Sequence, residues 1–158
     1  MQLTKQLLNK IVDVTSNAAI ACYPHIGKKN KILLDKAATD VMRKKLNNLD
    51  INGEVVIGEG ELDDAPMLFI GEKLGNKNGP ILDIAVDPVE GTNFAAYNLP
   101  GALSVLAIST KGNLFKAPET YMNKIAVGKE IPEGAVDLDF SIEENIKNIA
   151  NLTNKDFN

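Results

Sequence analysis

The sequence predicts an α+β protein, with helices packed on a largely antiparallel sheet. Three observations carry that prediction. Two stretches of helical periodicity open the chain, a series of short β-prone segments punctuated by glycine, proline and asparagine follows, and a capped helical stretch comes last. At 158 residues the chain reads as one domain, 1–158, long enough to bury a sizeable core.

Leu7, Ile11, Val14, Ala18 and Ala21 recur on one face, which predicts an amphipathic helix over Thr4–Tyr23 that Pro24 and Gly27 end. The lysine-rich stretch GKKNK then leads to a second helix starting near Asp35. Ala38, Val41, Met42 and Leu46 form its buried side, and Asn52-Gly53 signals a turn. Val55–Ile57 read as a short buried strand that the glycines flanking Glu59 terminate. MLFIGEKLG is a short strand or turn, and ILDIAVDP is a strand that Pro88 must stop. GALSVLAIST and NLFKAP read as two strands joined at KG in a hairpin, with YMNKIAVG as a further strand. Ser141 with Glu144 has the capping-box pattern, opening a last helix to about Asn151.

Composition excludes several function classes. A hydrophobic content of 44% with 24% charged residues is that of a soluble globular protein, and a net charge of −4 argues against a nucleic-acid surface. Arg43 is the only arginine, so the bidentate forks that clamp phosphate are scarce. Cys22 and His25 are each the only one of their kind, which leaves no disulfide framework and no Ser-His-Asp, Cys-His or thiolate-zinc chemistry. His25, after Pro24, reads as structural or exposed. No basic segment followed by an apolar core opens the chain and no apolar run reaches spanning length, so the expected location is the cytoplasm.

Two stretches carry chemistry. In GEGELDDA (Gly58–Ala65), Glu59, Glu61, Asp63 and Asp64 crowd together just past a strand, and they repel one another unless water or a cation lies between them. A solvated acidic turn is the alternative. DPVEGT (Asp87–Thr92) is a second acidic strand end, where Asp87 and Glu90 can converge across a tight turn while Gly91 and Thr92 offer amides and a hydroxyl. Carboxylates without histidine or thiolate select hard divalent ions such as Mg²⁺ or Mn²⁺. Asp35 stays open between helix cap and ligand on spacing alone.

At these residues the chain resembles the lithium-sensitive, metal-dependent sugar and inositol phosphatases, and within them class II fructose-1,6-bisphosphatase. VVIGEGELDDAPMLFIGEKLG, LDIAVDPVEGT, ALSVLA and APETYMNKIAVG look like that family in order and spacing, to about Asp139. The resemblance implies the sugar-phosphatase fold, with Asp35 and Glu59 as ligands of one metal ion and Asp87 and Glu90 as ligands of a second. Glu61 would lie close by, Thr92 would orient the attacking water, and Lys31 matches a lysine near the site. The turn Glu90-Gly91-Thr92 and Tyr121 would contact phosphate. The implied reaction is hydrolysis of the C1 phosphate of fructose 1,6-bisphosphate to fructose 6-phosphate, a gluconeogenic step assisted by two Mn²⁺ or Mg²⁺ ions.

The sequence also departs from the family. It has about half the family's length and corresponds to its N-terminal half. Nothing after Tyr121 resembles the family's further glutamate ligand, arginine-containing phosphate loop or sugar-gripping aspartates. Asn93 stands where relatives carry arginine, and Lys36 beside Asp35 where glycine is common. Three readings therefore stay open: a fructose-1,6-bisphosphatase, a non-catalytic remnant that binds metal or a partner, and a sibling acting on inositol or nucleotide phosphates. The apolar, uncharged ALSVLAI predicts a homo-oligomer or pairing with a complementary C-terminal half.

Overall fold

A computed structural model describes residues 4–58, 67–116 and 122–154. The chain divides into two compact units, Met1–Pro118 and Glu119–Asn158.

The first unit opens with helix α1 (Lys5–Cys22), capped by the Thr4 hydroxyl, which accepts from the Leu7 amide at 3.2 Å. Its buried stripe is Val14, Ala18 and Cys22, with Leu7 and Ile11 packed on the core's margin, so Cys22 takes the inward place expected of Ala21. Tyr23–His25 form one 3₁₀ turn, and Gly27 supplies the positive φ of +76° that turns the chain away. Helix α2 (Lys31–Asn47) begins earlier than its periodicity suggested, because Asn30 caps it by accepting from the Leu33 amide at 3.0 Å. Asp35 therefore lies one turn inside the helix and does not cap it. The buried face is Leu34, Ala38, Thr39, Met42 and Leu46, while Val41 is only half-buried. A buried Leu34 contributes about 1.5–3 kcal/mol, enough to fix the helix rotation and turn Asp35 to its neighbouring side.

Four strands follow: β1 (Asn52–Ile57), β2 (Lys73–Leu74), β3 (Ile81–Glu90) and β4 (Leu103–Thr110), in the spatial order β2-β1-β3-β4. The outer pairs are antiparallel, but β1 and β3 run parallel, so the sheet is mixed. Val55, Leu74, Leu82, Ile84 and Val86 form a single core with the buried faces of the two helices, joined at its margin by Leu106 and Ile108.

Four local expectations are corrected. Asn52-Gly53 is not a turn: it starts β1, and a Cβ on Gly53 would lie 2.6 Å from Ile84 Cδ1, so glycine serves close packing there. Pro88 does not end β3; the ladder shifts register between Asp87 and Glu90, and proline sits in that irregularity, where its missing N–H costs no pairing. NLFKAP does not form a hairpin with β4 among its described residues, Asn113–Lys116. Instead β4 pairs with β3, Ala107 beside Ala85, and the Gly112 amide donates to buried Asp83 Oδ2 at 2.6 Å. Met122–Gly128 form no strand, despite their composition; β-propensity reports fit to a neighbouring pleated surface, and these residues are exposed.

A short helix α3 (Thr92–Ala96) follows Gly91, which adopts φ +76°. In the second unit, helix α4 (Ile142–Thr153) starts where Ser141 Oγ accepts from the Glu144 amide at 3.1 Å. Buried Asn145 braces its entry by accepting from the Asp137 amide at 2.9 Å and donating to the Asp137 carbonyl at 2.8 Å. No helix among the described residues is long and apolar enough to cross a membrane.

Candidate functional site

The parallel β1–β3 pair decides where the acidic strand ends go. Two neighbouring strands that run the same way bring their C-terminal ends to one edge of the sheet. Ile57, the last residue of β1, stands beside Ala85, and Asp87 follows two residues later on β3. Glu59 and Glu61 themselves, like Tyr121, fall outside the described residues.

At that edge the register shift in β3 bends the chain so that Asp87 and Glu90 approach each other within hydrogen-bonding reach. Asp87 Oδ1 also accepts from the Val89 amide at 3.0 Å, which fixes its rotamer. Burial, then the hydrogen bond and charge of Glu90, and finally Asp35, push the Asp87 carboxyl up to about 6 from 3.8, against the pull of that amide. Gly91 then takes its left-handed conformation and starts α3 at Thr92.

Thr92 connects this bend to α2. Its Oγ1 lies 3.0 Å from Asp35 Oδ1 and 3.0 Å from the Val89 carbonyl oxygen. One hydroxyl proton serves two acceptors, so its lone pairs stay available to accept from a further donor. Asp35, Asp87, Glu90 and Thr92 are thus brought together from two elements 57 residues apart in the case of Thr92 and Asp35. Cys22 lies close enough for Asp35 to matter: burial first, then the Asp35 charge, push its thiol up, and its Sγ points to the Leu34 carbonyl at 3.7 Å. Kept as a thiol, it is a core residue.

The donor chemistry fits a hard divalent ion. All the groups are oxygens, and burial and the neighbouring Glu90 raise the Asp87 carboxyl, a crowding of like charge that a cation would relieve. Among the described residues, no three histidine, cysteine, aspartate or glutamate side chains complete a metal site by themselves. Lys31 opens α2 one turn before Asp35 and is exposed. Lys36 pairs with Asp40 at 2.8 Å, both half-exposed, rather than with Asp35. Asn93 is exposed on α3, and His25 is half-buried in its 3₁₀ turn.

Sequence reasoning missed Arg43. Its scarcity signalled only an absent phosphate clamp, yet its guanidinium pairs with Glu72 through Nε at 2.6 Å and Nη2 at 3.1 Å and donates to the Met67 carbonyl. A lone arginine three residues after Asp40 and one after buried Met42, on the half-buried flank of α2, was the available signal.

The bacterial, glpX-encoded fructose-1,6-bisphosphatase family model matches residues 5–158. A D-fructose 1,6-bisphosphatase class 2/sedoheptulose 1,7-bisphosphatase of Synechococcus sp. is 47% identical over 145 residues, 92% of this chain and 43% of that protein. Fructose-1,6-bisphosphatase 1 class 2 of Escherichia coli K12 is 44% identical over 148 residues, 94% of this chain and 44% of its own length. The chain therefore spans less than half the length of these relatives. Among solved structures, an extragenic suppressor from Pyrococcus furiosus aligns with 68% of this chain and 41% of its own at 20% identity and a TM-score of 0.47.

Proposed function

Because the chain belongs to the bacterial, glpX-encoded fructose-1,6-bisphosphatase family, we propose that it is the N-terminal, metal-carrying half of a class II fructose-1,6-bisphosphatase. In this reading Asp35 and Glu59 hold one divalent ion, and Asp87 and Glu90 hold a second, with Glu61 beside them. Mn²⁺ or Mg²⁺ bound there supplies charge neutralisation of the phosphate and a more acidic attacking water. The chain's own residues do the rest. Thr92, anchored to Asp35 and the Val89 carbonyl, accepts a hydrogen bond from the attacking water and aims it in line with the C1–phosphate bond. The Gly91 and Thr92 amides and Tyr121 contact the phosphate oxygens, and exposed Lys31 adds positive charge for the dianion. The products are fructose 6-phosphate and inorganic phosphate, in a cytoplasmic, gluconeogenic role.

The observation that carries this reading is the meeting of Thr92 with Asp35 at 3.0 Å, directly after the Asp87–Glu90 bend. The chain's share of its relatives' length leaves room for a second reading, a metal- or partner-binding module without turnover. The uncovered side of β4, with Leu103 and Val105 exposed, supports pairing with the family's remaining half or with a second copy. Phosphate release from fructose 1,6-bisphosphate in Mn²⁺ tests the function, with this chain alone and then with the remaining segment of a relative added. Release in either arm that Asp87→Asn abolishes supports the enzyme. Release in neither favours the binding module, and faster release from an inositol or nucleotide phosphate would favour the sibling activity.

A further inference from the structure

We propose that Arg43 is a positioning residue for the metal site, tying the base of the acidic segment to the helix that carries Asp35. The inference rests on the ligand set proposed above and deepens it. The segment Glu59–Pro66 leaves β1 at Gly58 and rejoins the described chain at Met67. At its base the two flanks are already in contact: a Cβ on Gly58 would strike the Leu68 carbonyl oxygen, and Leu68 is fully buried. Backbone bonds from Gly71 to the Val55 carbonyl at 2.8 Å and from Val55 to the Glu72 carbonyl at 3.0 Å hold the returning chain against β1.

Arg43 adds what those bonds lack, a connection to α2. Its planar fork grips both Glu72 carboxylate oxygens and, through Nη2, the carbonyl of Met67, the first residue after the acidic segment. The pair is largely shielded, with the Glu72 side chain 11% exposed and that of Arg43 31%, so it holds a defined geometry where a surface pair would sample several. Asp35 stands two turns earlier on the same helix. One side chain therefore joins the two parts of the chain that the proposed first metal ion needs together: α2 with Asp35, and the base of the segment containing Glu59. Lysine cannot reproduce this, because one ammonium cannot span both carboxylate oxygens and a carbonyl in fixed directions.

The test measures Mn²⁺ affinity by calorimetry and amide hydrogen exchange at Val55 and Gly71 in the wild type, Arg43→Met, Arg43→Lys and Glu72→Gln, with Val14→Ala as a control. Val14 is buried on α1, so its truncation destabilises the fold without touching the base of the acidic segment. The expected result is Mn²⁺ affinity weakened by about 10–100-fold in Arg43→Met. Exchange should quicken at Val55 and Gly71, Arg43→Lys should fall between, and Val14→Ala should keep wild-type affinity. Glu72→Gln gives the same reading if Arg43→Met does not fold. Wild-type affinity in a folded Arg43→Met or Glu72→Gln overturns this inference alone, as does an equal loss in Val14→Ala. No Mn²⁺ binding by the wild type overturns the metal reading, and this inference with it.

Discussion

Replacing Asp87 with asparagine should stabilise the metal-free protein at neutral pH while weakening its metal affinity. Asp87 titrates at about 6 in the folded chain against 3.8 ordinarily, so the native state binds its proton more tightly than the unfolded state does. For a raised carboxyl the sign is unfavourable to folding when ionised. Below pH 3.8 both states are protonated and the group costs nothing. Stability falls as pH rises through this window, and above about 6 the full cost is present. A shift of that size corresponds to about 3 kcal/mol for a fully desolvated group. Asp87 is only half-buried, so solvent screening reduces the figure to about 1–2 kcal/mol. Asparagine keeps the Oδ1 that accepts from Val89 and can donate to Glu90, so the geometry survives while the charge does not. Urea unfolding in EDTA at pH 4 and pH 7.5 reads the difference directly, because all other titrating groups are common to both proteins. Asp87→Asn should exceed the wild type by about 1–2 kcal/mol at pH 7.5, or about 2–8 °C in Tm, with the gap closing near pH 4. A variant less stable than wild type at pH 7.5, or a gap independent of pH, would refute the reasoning.

Thr92→Val removes the hydroxyl shared by Asp35 and the Val89 carbonyl and should cost about 1 kcal/mol of stability by urea unfolding, with phosphate release from an active assembly falling about 10²-fold. Gly53→Ala places a methyl 2.6 Å from Ile84 Cδ1 and 3.2 Å from the Leu74 carbonyl oxygen, so thermal unfolding should show a loss of about 1–3 kcal/mol. The edge strand β4 contains no charge between Leu103 and Thr110; sedimentation over a concentration series should show association by the wild type that Val105→Lys suppresses, and a wild-type monomer at high concentration would contradict that.

The parts legible in the sequence are those fixed by near neighbours. Helix α1 follows from its own periodicity within one residue at each end, and the Ser141 cap of α4 from a four-residue pattern. The Asp87–Glu90–Thr92 bend was readable because proline, glycine and the two acids act within six residues. What was not legible depends on distant partners. Helix α2 starts at Asn30's side chain, not at the first visible acid, and Asp35 was placed by resemblance rather than spacing, since its contact with Thr92 crosses 57 residues. The sheet is largely antiparallel as its pattern predicts, but its one parallel pairing was not legible for the same reason. Nothing local to β1 or β3 encodes that they run parallel, and the expected NLFKAP hairpin lost its place to the β3–β4 pairing and to the bond from Gly112 to Asp83. The contacts of Arg43 with Glu72 and Met67 span 29 and 24 residues, beyond the reach of any local pattern.

The claim at the centre of this account is that Asp35, Glu59, Asp87 and Glu90 form a divalent-metal site. Titration of Mn²⁺ into this chain by calorimetry, with Glu59→Gln and Asp87→Asn beside the wild type, tests it most directly. The account predicts saturable binding by the wild type that weakens by about tenfold or more in each variant, the loss expected when one of few carboxylate ligands becomes neutral. Equal binding by all three proteins, or none by a folded wild type, would contradict it.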